Sequence, residues 1–418
     1  MGIISKRFLM TLARRAVKNK AISALLQKKL QLKSARGLKK QTTPMVVILS
    51  LGKGGHSYSA ARAARALGYP VLLISPRPVP HEMAYSDFLM QLDPLTQINE
   101  IISRLKGLPI LGVSISIKHI LLPAQAKIAD SLGLISVGEK VGVLCNNKFE
   151  WRKELQAANI LQPKFSDNYK DIEQLETIQK PKMGTGSKGV MFLAPFSSPP
   201  EMHDPQGDLS VGPDLYYEEY LEGEQYDVEG VSFNGEHHVI AVIKEKYQKS
   251  EGMFPPKYFL FNPDISDKVN LLLVNETKKI LDASGVINGA WHVESRLIDG
   301  VVYPIDFANR MGYERFMSRA SGLDFSKQHV SAFIPNLELD FKLRPKKLLQ
   351  FFAITDDEWR KSSLISKHYP ENVFDIVAKP FSMGTVRYKG MIVVEASDEK
   401  LFWKIVQDLP LDENNQEG

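Results

Sequence analysis

Residues 286–312 read VINGAWHVESRLIDGVVYPIDFANRMG, and the fold turns on how this stretch is read. Ala290 to Arg296 alternate as a half-buried strand does. Leu297 to Gly300 supply a turn, and Val301 to Phe307 return. As antiparallel neighbours, these strands point Glu294 and Asp306 from one face. Two close carboxylates in a half-buried sheet repel each other and are costly unless neutralised. A divalent cation does this, and Mg²⁺ prefers one or two carboxylates plus phosphate oxygens. Arg310 follows within one turn, placed to hold a phosphate that shares the metal. A plain hairpin with solvated carboxylates is the competing reading of the stretch taken alone.

Upstream, residues 180–190, KPKMGTGSKGV, hold three glycines, two hydroxyls and three lysines between two strand-like runs. Such a loop brings backbone N–H groups close to phosphate oxygens and adds positive charge. The G-K-[ST] order of a Walker A loop is absent, and a hairpin turn is the bland alternative. Residues 195–213 read as a long loop in which His203 stands alone. Tyr216 to Val231 read as strand, connector, strand. The connector offers backbone groups and Leu221 to a flat base, and Glu224 or Gln225 to ribose hydroxyls. Val239 to Lys244 is a further strand, Lys249 to Pro256 a second loop, and residues 271–284 a helix. Lys148 and Arg152 share one face of a helix running to Ala158, a pattern that also suits a solvated basic helix.

At Met45 an apolar run, MVVILS, leads through Leu51-Gly52-Lys53-Gly54-Gly55-His56 into a helix from Ser57 to Leu67, then a strand, Val71 to Ser75. This is a βαβ unit. Its G-x-G-G spacing is not the dinucleotide fingerprint, and Pro76-Arg77-Pro78 stand where an acid would close the second strand. A Rossmann-like half-domain with its glycine turn facing a substrate cleft fits better than an NAD site. Alternating β and α patterns continue to about residue 140.

Composition bounds the rest. A chain of 418 residues is too long for one core and implies two or three domains. The single cysteine, Cys145, excludes a disulfide framework and a cysteine-based zinc site and fits a reducing, cytoplasmic setting. No apolar run is long enough to span a bilayer. Residues 1–43 contain twelve Lys or Arg and no acid; of the 53 basic residues, 41 remain against 48 acidic ones, so the net +5 resides in one terminal segment. The body carries −7, and nucleic-acid binding is not expected of it. Residues 5–33 fit a basic amphipathic helix with Phe8, Leu12, Ala16, Ile22, Leu25, Leu26 and Leu30 along its stripe. Docking on the body, membrane-surface contact through residues 1–40 and a targeting role compete for it. Lys6 rules out the myristoylation pattern.

In this order the parts resemble the ATP-grasp superfamily, in its carboxylate–amine (L-amino-acid-type) ligase branch, over about residues 45–330. The motifs are GKGGHSYSAARAARALGYPV, the Lys148-to-Arg152 helix, KPKMGTGSKGV, EEYLEGEQYDVEG, and HVESR followed by IDFANRMG. The resemblance implies an α/β and α+β chain, an ATP-grasp fold preceded by a Rossmann-like (pre-ATP-grasp) domain. The expected divisions are a basic segment (1–43), the Rossmann-like domain (44–140), ATP-grasp lid and core (141–330), and a small C-terminal subdomain completing the core (331–418). It implies nucleotide contacts from Lys148 and Lys180, and a phosphate-covering loop of Gly184, Gly186 and Ser187. Glu218, Glu219 and Leu221 would line the adenine site, with Glu224 or Gln225 on the ribose. Glu294 and Asp306, with Asn309 as a third candidate, would hold Mg²⁺ (or Mn²⁺), and Arg310 would steady the transferred phosphoryl group. Two departures stand out. The family ends this motif E-x-N-x-R, whereas D-F-A-N-R places Asp306 at the glutamate and Asn309 one position late, on the far side of a regular strand. After Pro255-Pro256, Lys257 to Phe261 carries no acid where amino-acid ligases often do.

The implied function is ATP-dependent amide-bond formation between a small carboxylate and a small amine, through an acyl phosphate, by a homo-oligomer. His56 and His292 are candidate substrate contacts. The rivals are a ligase using a non-amine nucleophile and a nucleotide-binding sensor or pseudoenzyme of the same fold. No chemistry is expected beyond about residue 335, where strands and one closing helix are predicted, and residues 412–418 read as a disordered tail.

Overall fold

The structure is a computed structural model that describes residues 20–52, 58–115, 117–184, 186, 188–199, 214–248, 253–337, 340–383 and 386–411. Outside them lie expectations made for residues 1–19, for His56 in the first glycine turn, for Ser187, for His203 and for residues 412–418.

The first sheet is parallel, with β1 (Met45–Leu49), β2 (Val71–Ile74), β3 (Phe88–Met90) and β4 (Ile110–Ile115) in the order β3-β2-β1-β4. Every residue of β1 and β2 is buried, as continuous apolar runs require when both faces of a parallel sheet are covered. Between them the helix Ser59–Ala66 buries Ala60, Ala61, Ala63 and Ala64 and keeps Arg62 at its edge. Arg62 donates to Asp324 (3.0 Å) and Glu314 (3.2 Å), tying this sheet to the far end of the chain. His329 makes a second tie. Its Nδ1 accepts from Ala290 N (3.0 Å), leaving Nε2–H to donate to Ile115 O (2.9 Å), with Ser114 Oγ at 3.1 Å. Burial lowers the imidazole to about 4, so the neutral tautomer that this bonding needs is the one present.

The helix Lys20–Gly37 docks on this layer through Leu26 and Leu30, with Ser34 Oγ accepting from Leu89 N (2.8 Å). Leu25, expected on the buried stripe, is instead 70% exposed. Among the described residues no helix is long and apolar enough to cross a membrane.

A small antiparallel sheet follows: β5 (Phe165–Ser166), β6 (Thr177–Pro181), β7 (Met191–Leu193) and β8 (Leu215–Glu219), ordered β5-β8-β6-β7. The large sheet is built from β9 (Glu224–Phe233), β10 (Glu236–Tyr247), β11 (Pro256–Phe261), β12 (Gly289–Ile298), β13 (Val301–Ala308), β14 (Leu348–Ala353), β15 (Val373–Val377) and β18 (Gly390–Glu395). Its order is β13-β12-β9-β10-β11-β14-β18-β15, and β16 (Phe381–Met383) pairs separately with β17 (Val386–Tyr388). The chain beyond residue 335 thus supplies three strands of the large sheet, and two helices, Asp356–His368 and Glu399–Gln407, where one was expected.

Two-residue turns fix the registers of the hairpins. Asn234-Gly235 and Asp299-Gly300 both take positive φ, the geometry that matches the right-handed twist of the flanking strands. One face of the large sheet packs Val228, Trp291, Val293 and Phe307 against Leu273, Ile280 and Leu281 of the helix Asp267–Ser284. That helix begins earlier than its periodicity suggests because Ser266 caps it, accepting from Val269 N. The opposite face is covered only in part, by the helices Glu314–Ser321 and Phe325–Ser331. The uncovered part floors a cleft.

Candidate functional site

Glu294 and Asp306 are direct cross-strand partners in the β12–β13 register, and a directly opposed pair shares a face. The same parity carries Asp227 of β9 beside Glu294, and Glu229 beside His292. A row further along sets Arg296, Gln225, Glu245 and Phe259 side by side across β12, β9, β10 and β11. Alternation therefore lays a plane of acids on the cleft floor.

Burial, reinforced by Glu245, Asp306 and Asp227, pushes the Glu294 carboxyl up to about 8. Burial and neighbouring acids likewise raise Glu245 to about 8 and Asp227 to about 7. Asp306 goes the other way. Burial alone would raise it, but Lys148, bound to both of its oxygens, holds it well below the usual carboxylate range.

Above the floor stand the cations. Lys148 opens the helix Lys148–Ala157, whose start is capped by Asn147 accepting from Glu150 N (3.1 Å). One turn on, Arg152 is fully buried, donating through Nε (3.0 Å) and Nη2 (2.8 Å) to Glu218 and through Nη1 to Pro304 O (2.8 Å). The solvated-helix reading of this face does not hold. Glu218 also pairs with Lys180 at the end of β6. Burial lowers Lys180, with Glu218 opposing the shift, while Arg152 and Lys180 override burial at Glu218 and keep it ionised. Glu218 is thus an anchor for two cations beneath the small sheet.

Lys148, Lys180, Glu218, Glu294, Asp306 and His292 line one cavity of about 320 Å³, within the range of small-molecule sites, with Arg152, Asp227, Glu229 and Glu245 buried behind its wall. Of the residues expected at the site, Lys148, Lys180, Gly184, Gly186, Glu218, Glu219, Leu221, Gln225, Glu294, Asp306 and Arg310 line it. Two do not. Glu224 lies on the opposite strand face from Gln225, paired with Lys244 and accepting from Tyr226 Oη (2.8 Å), so of the two only Gln225 faces the cavity. Asn309 is fully buried and donates through Nδ2 to Ala290 O (2.9 Å), turned away from Asp306 as strand parity dictates. This corrects the expectation that Asn309 is a metal ligand.

Sequence reasoning missed Asp227, Glu229 and Glu245, whose alternation in β9 and β10 was a usable signal. It also missed His119 and Cys145 on the cavity wall, and Met383 and Val386 from the C-terminal hairpin. Cys145 Sγ accepts from Asn309 N (3.1 Å), and burial pushes its thiol up to about 12. His119 is lowered to about 3 by burial and by the nearby Arg310 and Lys148.

The donor set fits a divalent cation. Among the described residues no group of three or more His, Cys, Asp or Glu is arranged to hold a metal by itself. Mg²⁺ needs only one or two carboxylates when phosphate supplies the rest. Glu294 Oε2 accepts a long 3.3 Å bond from Gln225. Both ring nitrogens of buried His292 lack a hydrogen-bond partner among the described residues, with Asp227 3.5 Å from Nδ1. Ionising Glu294 or Asp227 would add negative charge that these few hydrogen bonds do not offset, and a divalent cation would offset it.

Two family models, each described as an ATP-grasp domain, match residues 145–262 and 210–316. The L-amino acid ligase of Bacillus licheniformis superposes with a TM-score of 0.65 at 17% identity, covering 88% of this chain and 98% of that one. A carboxyaminoimidazole ribonucleotide synthase of Aspergillus clavatus, complexed with ATP, gives 0.63 at 16% identity, covering 87% and 97%. Phosphoribosylglycinamide synthetase of Anaerococcus prevotii gives 0.60 at 16%, again covering 87% and 97%. A search of curated proteins by sequence finds no match.

Proposed function

We propose that this protein is an ATP-dependent carboxylate–amine ligase, a reading supported by the two ATP-grasp domain models that match residues 145–262 and 210–316 and by the shared fold of its structural relatives. The observation that carries the reading is the register placing Glu294 opposite Asp306 on the floor of the cavity that Lys148, Lys180 and Arg310 line. Structural relatives named as ligases or synthetases support the same class.

ATP lies between the small sheet and the large one. Glu219 and Leu221 line the base, Gln225 meets the ribose, and Lys148 and Lys180 reach the phosphates. Lys180 arrives with its ammonium already oriented by Glu218, so little reorganisation accompanies binding. Glu294 and Asp306 would hold Mg²⁺, which would neutralise phosphate charge and the charge of the two carboxylates. Binding the nucleotide takes Lys148 from Asp306 to a phosphate oxygen. A substrate carboxylate oxygen then attacks the γ-phosphorus while its bond to ADP breaks, and Arg310 steadies the transferred group. The amine nitrogen attacks the acyl carbon, phosphate leaves, and the nitrogen gives up a proton. Sealing of the cavity by the small sheet protects the acyl phosphate from water.

The test is ADP release with Mg²⁺ and ATP across a matrix of carboxylates and amines. Release that requires both partners is the expected result. Nucleotide binding without release for any pair would replace the ligase with the second reading, a nucleotide sensor, which the loss of Asn309 to Ala290 favours.

A further inference from the structure

With the nucleotide placed as proposed above, one end of the cavity is left to another occupant. Along the row Arg296, Gln225, Glu245, Phe259, its character changes from polar to apolar at Glu245. Glu245 is buried and accepts from Tyr247 Oη (3.0 Å), Tyr313 Oη (3.0 Å) and Gln225 Nε2 (2.8 Å). Both phenol hydroxyls are therefore held against the sheet, and the rings offer carbon to the cavity. Phe259 continues that surface, its ring centroid 6.0 Å from Tyr247 and 5.2 Å from Tyr313.

The facing wall comes from the part of the chain to which no chemistry was assigned. In the β16–β17 hairpin Met383 and Val386 are cross-strand partners, and both line the cavity. Two residues back, on the same face, Phe381 and Tyr388 stack at 5.3 Å. Tyr388 packs on Phe352 (5.6 Å), which packs on Phe259 (5.1 Å). The hairpin is thus anchored to the same aromatic cluster that forms the floor, while Ser382 and Arg387 are exposed on its other face.

We propose that this apolar box, between Tyr313, Phe259, Met383 and Val386, receives the body of the acyl-donor substrate and selects carboxylic acids with a bulky hydrocarbon or aromatic group. The inference rests on the ligase reading and names its substrate class. The acyl donor is the occupant because its carboxylate must meet the phosphoryl group between Arg310 and Glu294. Tyr313, three residues beyond Arg310, leads from that point into the box. A charged or strongly hydrated body would have to shed its water against the carbon of these four side chains.

The experiment uses the full chain with Mg²⁺ and ATP, and hydroxylamine as the amine, since it traps any acyl phosphate as a hydroxamate. Acetate, hexanoate, 3-phenylpropanoate and succinate are compared with the α-amino series alanine, leucine, phenylalanine and aspartate. Within whichever series is used, the bulky apolar acid should exceed the small and the charged ones in kcat/KM by about 100-fold, the range a hydrophobic pocket can deliver over several carbons. Met383→Ala should lower kcat/KM for the preferred acid about tenfold and leave ADP affinity, measured by calorimetry, unchanged. Preference for small or charged acids, or an order of preference unaltered in both Met383→Ala and Val386→Asp, overturns the apolar box and leaves the ligase reading intact. No hydroxamate and no ADP release with any acid, while ADP still binds, overturns both.

Discussion

At the scale of single residues, the cations of the site are organised by a buried carboxylate. Glu218 holds Arg152 and Lys180 at once, and Arg152 is wholly buried. Removing one member of such a cluster leaves an uncompensated buried charge, which costs about 3–5 kcal/mol. Arg152→Met should therefore lower unfolding free energy by about that amount in urea titration, although Arg152 does not line the cavity. Glu294→Gln has the opposite signature. It replaces a carboxyl that burial already keeps largely protonated with a neutral side chain of the same shape, so thermal stability should hold. ATP turnover should fall by about 100-fold or more, as when a charge-positioning group is deleted. Turnover near that of the unaltered protein would refute the metal role assigned to Glu294.

At the scale of elements, what the sequence could disclose depended on how local the cause was. The βαβ unit and the hairpin at Glu294 and Asp306 follow from runs and turns a few residues long, and both are present. Arg152 looked like a solvated residue because its partner, Glu218, lies 66 positions away, beyond any periodicity. The choice between Glu224 and Gln225 needed only strand parity, but parity cannot say which face is the cleft until β9 is paired with β10 and β12. The β16–β17 hairpin carries no chemically conspicuous side chain, so nothing in its sequence announced a place at the cavity. The junction between the first sheet and the large one was equally silent, since it depends on His329 meeting Ser114, Ile115 and Ala290 from three separate segments. His329→Ala strands the buried Ala290 N–H and should cost about 1–3 kcal/mol in chemical denaturation.

For the whole molecule, the acidic floor gives stability a definite dependence on pH. Asp227, Glu245 and Glu294 retain protons in the folded state up to about 7, 8 and 8, whereas unfolded carboxylates release theirs near pH 4. The folded state then binds more protons, so its stability falls as pH rises toward 8. His119, His292 and His329, lowered to about 3, 4 and 4, act in the opposite sense, but only below the ordinary histidine range. Between pH 6.5 and 8 the carboxylates are unopposed by them. The melting temperature of the nucleotide-free protein should decline across that window, and Mg²⁺ with ADP should flatten the decline. A flat profile without ligand would mean that the floor is better solvated than its burial implies.

Cys145 offers a practical handle on the motion that such a cleft requires. It is the chain's sole thiol, it borders the cavity, and in this packing it is both shielded and protonated. An alkylating dye can therefore mark one position only, and only in molecules caught ajar. The rate of that labelling, followed with and without nucleotide, would serve as a clock for opening in the unmodified protein, with no engineered reporter.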